Sequence, residues 1–132
     1  MKLRGIVITG AAALAACGAL GMFPAGGQAG TTAAATWTEQ APATSPPARA
    51  GEAMAYDAAT GTVVLFGGEG LHGASGETWT WDGTTWTRQA PAASPPARFL
   101  AAMAYDAATS TTVLFGGLSN SSTLFRDTWV WG

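Results

Sequence analysis

Cysteine is nearly absent from this 132-residue chain: Cys17 is the only one. No disulfide can form within the chain, so the fold rests on packing alone. Histidine is equally scarce, with His72 alone. A metal site built on several imidazoles or thiolates is therefore excluded. Positive charge is also sparse. Beyond Lys2 and Arg4, four arginines stand against eight carboxylates, a net charge of −4. Such a surface repels nucleic-acid phosphates, and no nucleic-acid partner is expected.

No apolar run reaches the length of an uninterrupted membrane span, which needs about 20 predominantly apolar residues. The start of the chain carries a shorter one. Lys2 and Arg4 precede an apolar stretch from Ile6 to Phe23, interrupted by Thr9, Cys17 and glycines. Pro24 and small residues end it. Basic start, apolar middle and small end form the layout of an export signal over residues 1–29, followed by a linker over 30–35. Two processing sites are legible. Gly27-Gln28-Ala29 is a small-x-small site that yields a soluble secreted protein. Leu14-Ala15-Ala16-Cys17 resembles a bacterial lipobox, which would leave Cys17 lipidated and the protein membrane-anchored. Because the apolar run continues past Cys17, soluble export is the favoured reading.

The remainder is a tandem repeat. Thr36 to Gly68 reads TWTEQAPATSPPARAGEAMAYDAATGTVVLFGG, and Thr85 to Gly117 reads TWTRQAPAASPPARFLAAMAYDAATSTTVLFGG. Trp37 recurs as Trp86, Met54 as Met103 and Asp57 as Asp106, each 49 residues on. Trp79 recurs as Trp129, 50 residues on, so one residue is inserted in the dissimilar segment before Trp129. Periods of this size mark repeat architectures.

Each unit reads as four strands. Ala53 to Tyr56 (again Ala102 to Tyr105) is small-residue-rich. Val63 to Phe66 (again Thr112 to Phe115) is apolar on both faces, which predicts burial on both sides. Thr78 to Trp81 (again Thr128 to Trp131) and Thr85 to Arg88 (earlier, Thr36 to Glu39) alternate large and polar residues, as outer strands do. Asp57 and Asp106 are turn residues whose carboxylates can take backbone N–H groups. Asp82-Gly83 predicts a tight hairpin. Gly67-Gly68 and Gly116-Gly117 allow a sharp exit and close backbone approach. The prolines between Ala90 and Arg98 exclude a central strand, so this segment is an extended crossing.

The strand ending in Gly-Gly, the Tyr-Asp turn, the strand-three tryptophans Trp79 and Trp129, the later Trp86, and the Pro-Pro-Ala-Arg segments resemble the kelch motif. The resemblance covers nearly all of residues 36–132. It implies an all-β fold of four-stranded propeller blades, here an incomplete propeller. Residues 36–40 would be strand four of a preceding blade, 53–89 a complete blade, and 102–132 a partial one. Propellers close with about four to eight blades, so a fragment of a longer propeller is the favoured expectation, with an assembly of several chains or a partial open array as the alternatives.

Kelch blades also carry copper-radical oxidases of the galactose-oxidase type. Their site resembles two tyrosines, two histidines and a cysteine crosslinked to tyrosine. One histidine and equivalent repeat tyrosines, Tyr56 and Tyr105, do not supply it here. No catalytic residue, cofactor or metal is expected. Arg49 and Arg98, entering the innermost strand, read as scaffold residues that bond loop carbonyls and pair with an acid. The tryptophans read as packing.

What differs between the copies are the loops between strands two and three, Glu69 to Gly76 and Leu118 to Arg126. Unlike loops on a fixed scaffold are where binding sites are built. Glu69, His72, Glu77, Ser119, Asn120 and Arg126 are the candidate ligand-binding residues. The expected function is an exported binding or protein-interaction module for a protein or carbohydrate ligand, without catalysis of its own. The alternatives are part of a larger secreted kelch enzyme, an oxidase or sugar-processing protein, and an envelope structural protein held by lipid at Cys17.

Overall fold

The computed structural model describes residue 30 and residues 32–132. The export segment and the lipid-attachment candidate Cys17 lie outside the described residues. Among the described residues the chain is all-β, with no helix. No helix there is long and apolar enough to cross a membrane.

The first unit folds as β1 (Ala53–Asp57), β2 (Thr62–Phe66), β3 (Glu69–Gly70), β4 (Gly73–Ala74), β5 (Thr78–Trp81) and β6 (Trp86–Gln89). The second folds as β7 (Ala102–Asp106), β8 (Thr111–Phe115) and β9 (Thr128–Trp131). β1-β2-β5-β6 is a four-stranded antiparallel sheet, and β7-β8-β9 is its three-stranded counterpart. The register repeats: Met54 pairs with Leu65 and Leu65 with Trp79, as Met103 pairs with Leu114 and Leu114 with Trp129. Equal sequence at equal spacing thus yields equal pairing.

The turns follow from side-chain chemistry. Asp57 Oδ1 accepts the N–H groups of Ala59 (2.9 Å) and Thr60 (3.3 Å). Gly61 then takes φ +70°. In the second unit Ser110 holds the same position at φ 56°, where an L-residue is strained. At the other end of the sheet, Asp82 Oδ1 accepts the N–H groups of Thr84 and Thr85. Those bonds hold Thr85 in the loop, so β6 begins at Trp86, one residue later than the sequence pattern suggests.

The two sheets pack face to face. Ala53 and Phe66 of the first sheet and Leu114 of the second are buried together, with Ala101, Met103 and Trp129 against them. Burying a side chain the size of Phe66 contributes about 2–3 kcal/mol. The crossing into the second sheet is itself hydrogen-bonded to the first. Gly68 N–H donates to Arg98 O (2.9 Å), Arg98 N–H to Ser75 O (3.1 Å) and Leu100 N–H to Gly51 O (2.7 Å).

Three expectations are corrected. Residues 36–40 form no strand, although they nearly duplicate β6. Trp37 is correspondingly exposed rather than packed. β8 is not buried on both sides: Phe115 is 52% exposed, whereas its counterpart Phe66 is 3% exposed. The cause is common to all three. A strand or sheet face is buried only where a neighbour lies against it: the second sheet covers the Phe66 face of the first, while among the described residues nothing covers the Phe115 face of the second.

Candidate functional site

The repeated arginines organise the loops. Arg49 donates from Nε to Pro47 O (3.0 Å), from Nη1 to Gly67 O (2.9 Å) and from Nη2 to Glu77 Oε2 (2.7 Å). Arg98 does the same with Pro96 O (3.0 Å), Gly116 O (2.9 Å) and both carboxylate oxygens of Asp127. Each acid also accepts from a strand tryptophan, Trp79 Nε1 to Glu77 and Trp129 Nε1 to Asp127. The four positions Arg, Gly, acid and Trp form one clamp, built twice. It closes each loop between strands two and three onto the crossing that enters the sheet. This explains why those residues recur while the loops do not.

The clamp fixes charge as well as geometry. Hydrogen bonding from Arg49 holds the Glu77 carboxyl below its ordinary value, with Trp79 and Arg88 adding to the effect against a desolvation penalty. Asp127 is driven well below the carboxylate range by its bonds from Arg98. Both acids are held ionised, so neither can serve as a general acid near neutral pH.

The sites of closest approach are glycines. Gly67 has φ +72°, and a Cβ there would run into the carbonyl of Arg98. Gly117 has φ +99°, and a Cβ would lie 2.9 Å from the Phe99 carbonyl.

On this frame sit the unlike loops. In the first unit, β3 and β4 form a two-residue hairpin with Leu71 and His72 at its exposed tip. Glu69 lies on β3, where its backbone pairs with Ala50 and its side chain is exposed. In the second unit the Ser119 hydroxyl accepts the N–H groups of Ser121 (3.2 Å) and Thr123 (3.1 Å), folding the loop on itself. Asn120 reaches across, accepting the Ala74 N–H at Oδ1 (2.7 Å). The two loops therefore make one continuous surface. Arg126 is exposed beside it, outside the Arg98–Asp127 pair.

Of the six candidates, the structure joins His72 and Glu77 in one open groove of about 460 Å³, lined also by Arg49, Leu71 and Ser75. Asn120 touches the hairpin that forms its wall. Glu69 and Arg126 are exposed loop charges, and Ser119 is committed to its own loop. Two residues of this surface escape sequence reasoning, the fully exposed Leu71 and the largely exposed Leu124. Their signal is an apolar residue in a glycine- or serine-rich loop with no repeat counterpart.

Glu77 is saturated by Arg49, Arg88 and Trp79. Among the described residues no three His, Cys, Asp or Glu side chains gather to hold a metal ion. No protein-family model matches the chain, and no curated protein matches it.

Proposed function

We propose that the chain is an exported, kelch-like propeller segment that acts as a binding module for a protein or carbohydrate surface. The observation that carries this reading is the groove beside the β3–β4 hairpin. It has a rigid floor, the Arg49–Glu77 clamp, and a wall of unrepeated residues with Leu71 and His72 exposed. A fixed charged floor gives orientation, and the exposed apolar tip gives contact area. The floor's acid is held ionised by its arginine, which supports recognition over proton transfer.

Export is part of the same proposal. Intact-mass measurement of the mature protein distinguishes its two routes. A start near Gly30 supports soluble secretion, and a diacylated start at Cys17 supports a lipid anchor.

The binding reading is tested by probing an oligosaccharide array and a displayed-peptide library with the chain and with Leu71→Ala/His72→Ala. The expected result is a ligand whose binding falls at least tenfold in the double variant. A ligand bound equally by both, or no ligand in either set, contradicts the reading.

A further inference from the structure

The interface inside the chain specifies a second interface outside it. In the first sheet, Ala53, Phe66 and Thr78 share one register row, and Val64 lies in the next row on that face. All four are buried, and Val64, Phe66 and Thr78 line the cleft facing Met103, Leu114 and Trp129 of the second sheet. The corresponding row of the second sheet is Ala102, Phe115 and Thr128, with Val130 in the row beyond. Phe115, Val130 and their two row neighbours are exposed, Val130 by 62%. The opposite faces show the converse. Met103 and Tyr105, which look toward the first sheet, are half-buried. Their counterparts Met54 and Tyr56 are exposed, Tyr56 by 60%.

Among the described residues the chain thus presents two uncovered faces that match each other, because their near-duplicates already pack together within it. The same displacement that carries the first sheet onto the second would bring a further copy's first sheet onto the Phe115 face. It would also settle the unpaired strand. β6 pairs with β5 and precedes the crossing into β7. Residues 36–40 precede the equivalent crossing into β1, and they differ from 85–89 only by Glu39 in place of Arg88. Among the described residues β9 has a partner on one side only, β8. Arg88 pairs with Glu77 in the first sheet, whereas both oxygens of Asp127 are already bonded by Arg98 and require no second cation.

We propose that copies of this chain assemble head to tail, the Met54/Tyr56 face of one covering the Phe115/Val130 face of the next, with residues 36–40 of the covering copy pairing as a fourth strand on β9. An interface between unlike faces generates a ring if its rotation closes.

Sedimentation velocity on the full chain at tens of micromolar tests the proposal, alongside Phe115→Asp and Tyr56→Asp. Each variant places a charge on one exposed face, and circular dichroism checks its fold. Val130→Asp serves as a second variant for the Phe115 face. The wild-type chain is expected to sediment as a multimer and each variant alone as a monomer. An equimolar mixture of Phe115→Asp and Tyr56→Asp is expected to form a dimer, because each supplies the face the other lacks. A monomeric wild type, a variant that still assembles alone, or a mixture that stays monomeric overturns the proposal. Self-association through one face, for example, would persist in Tyr56→Asp. The ligand groove lies within one copy, so ligand binding by monomeric variants leaves the functional reading standing while this inference fails.

Discussion

The first sheet and the second share three strands, their register and the clamp, yet Phe66 is buried and Phe115 is open to solvent. The local code is the same in both. What differs is the neighbour. Secondary structure in this chain is set by alternation, turn residues and the Arg clamp, while burial is set by what lies beyond each sheet. Substitutions at paired positions separate these two contributions.

The largest difference is expected at the clamp. The Arg98 side chain is fully buried, lies 4.0 Å from the Phe125 ring and makes its ion pair with Asp127. Removing one partner of a buried pair costs about 3–5 kcal/mol, toward the lower end here because Asp127 retains solvent contact. Arg49→Ala should cost about 2 kcal/mol, since Glu77 keeps Arg88. Urea unfolding of the two variants gives the comparison, and equal losses would break it. The pair also sets the acid limit. The folded Asp127 and Glu77 carboxyls titrate below their ordinary values of 3.8 and 4.5. Their contribution is therefore complete above those values and is lost as pH falls through the folded ones. Between about pH 5 and 3 the wild type should lose more thermal stability than Arg98→Ala, which lacks the stronger pair.

Next come the paired glycines. Gly67→Ala meets both a positive φ and the Arg98 carbonyl, whereas Gly116→Ala meets the φ alone, its nearest outside atom being 3.5 Å from the added Cβ. Expected losses are about 3 kcal/mol and about 1 kcal/mol. Thermal melts that rank them the other way would place the constraint in the turn rather than between the sheets.

Two substitutions should stabilise. The Thr112 hydroxyl is buried with no hydrogen-bond partner among the described residues, at the position where the first unit has Val63. Thr112→Val removes that unpaired group and is expected to add about 1–2 kcal/mol. Ser110→Gly gives the second unit the Gly61 residue at a left-handed position, worth about 1 kcal/mol. A denaturant midpoint that does not rise in either variant would contradict the equivalence of the two units at that position.

Much of the fold is legible in the sequence because its determinants are local. β5 and β9 fall where alternating Trp and Thr or Val place them, and β1, β2, β7 and β8 differ from the expected ranges only at their ends. The β3–β4 hairpin is not legible, since two-residue strands of glycine, alanine and glutamate carry no periodicity. Residues 36–40 mislead for the opposite reason. Their pattern is that of β6, but a strand needs a hydrogen-bonding neighbour that sequence alone does not supply. At the candidate site, the contrast between repeated and unrepeated residues picks out the loops. It does not reveal that Glu77 is consumed by the clamp, because Arg88 reaches it only through the β5–β6 pairing. Nor does it single out Leu71 and Leu124, whose exposure depends on hairpin geometry.

The central claim is that the second sheet has the same partners to offer as the first and lacks only a neighbour. Hydrogen exchange along β9, measured across a dilution series, tests it most directly. At high concentration the backbone amides of 128–131 should approach the protection of 78–81, residues 36–40 should become protected with them, and both should lose protection together on dilution. Outward amides of β9 that exchange freely at every concentration, while β5 stays protected, would contradict the account.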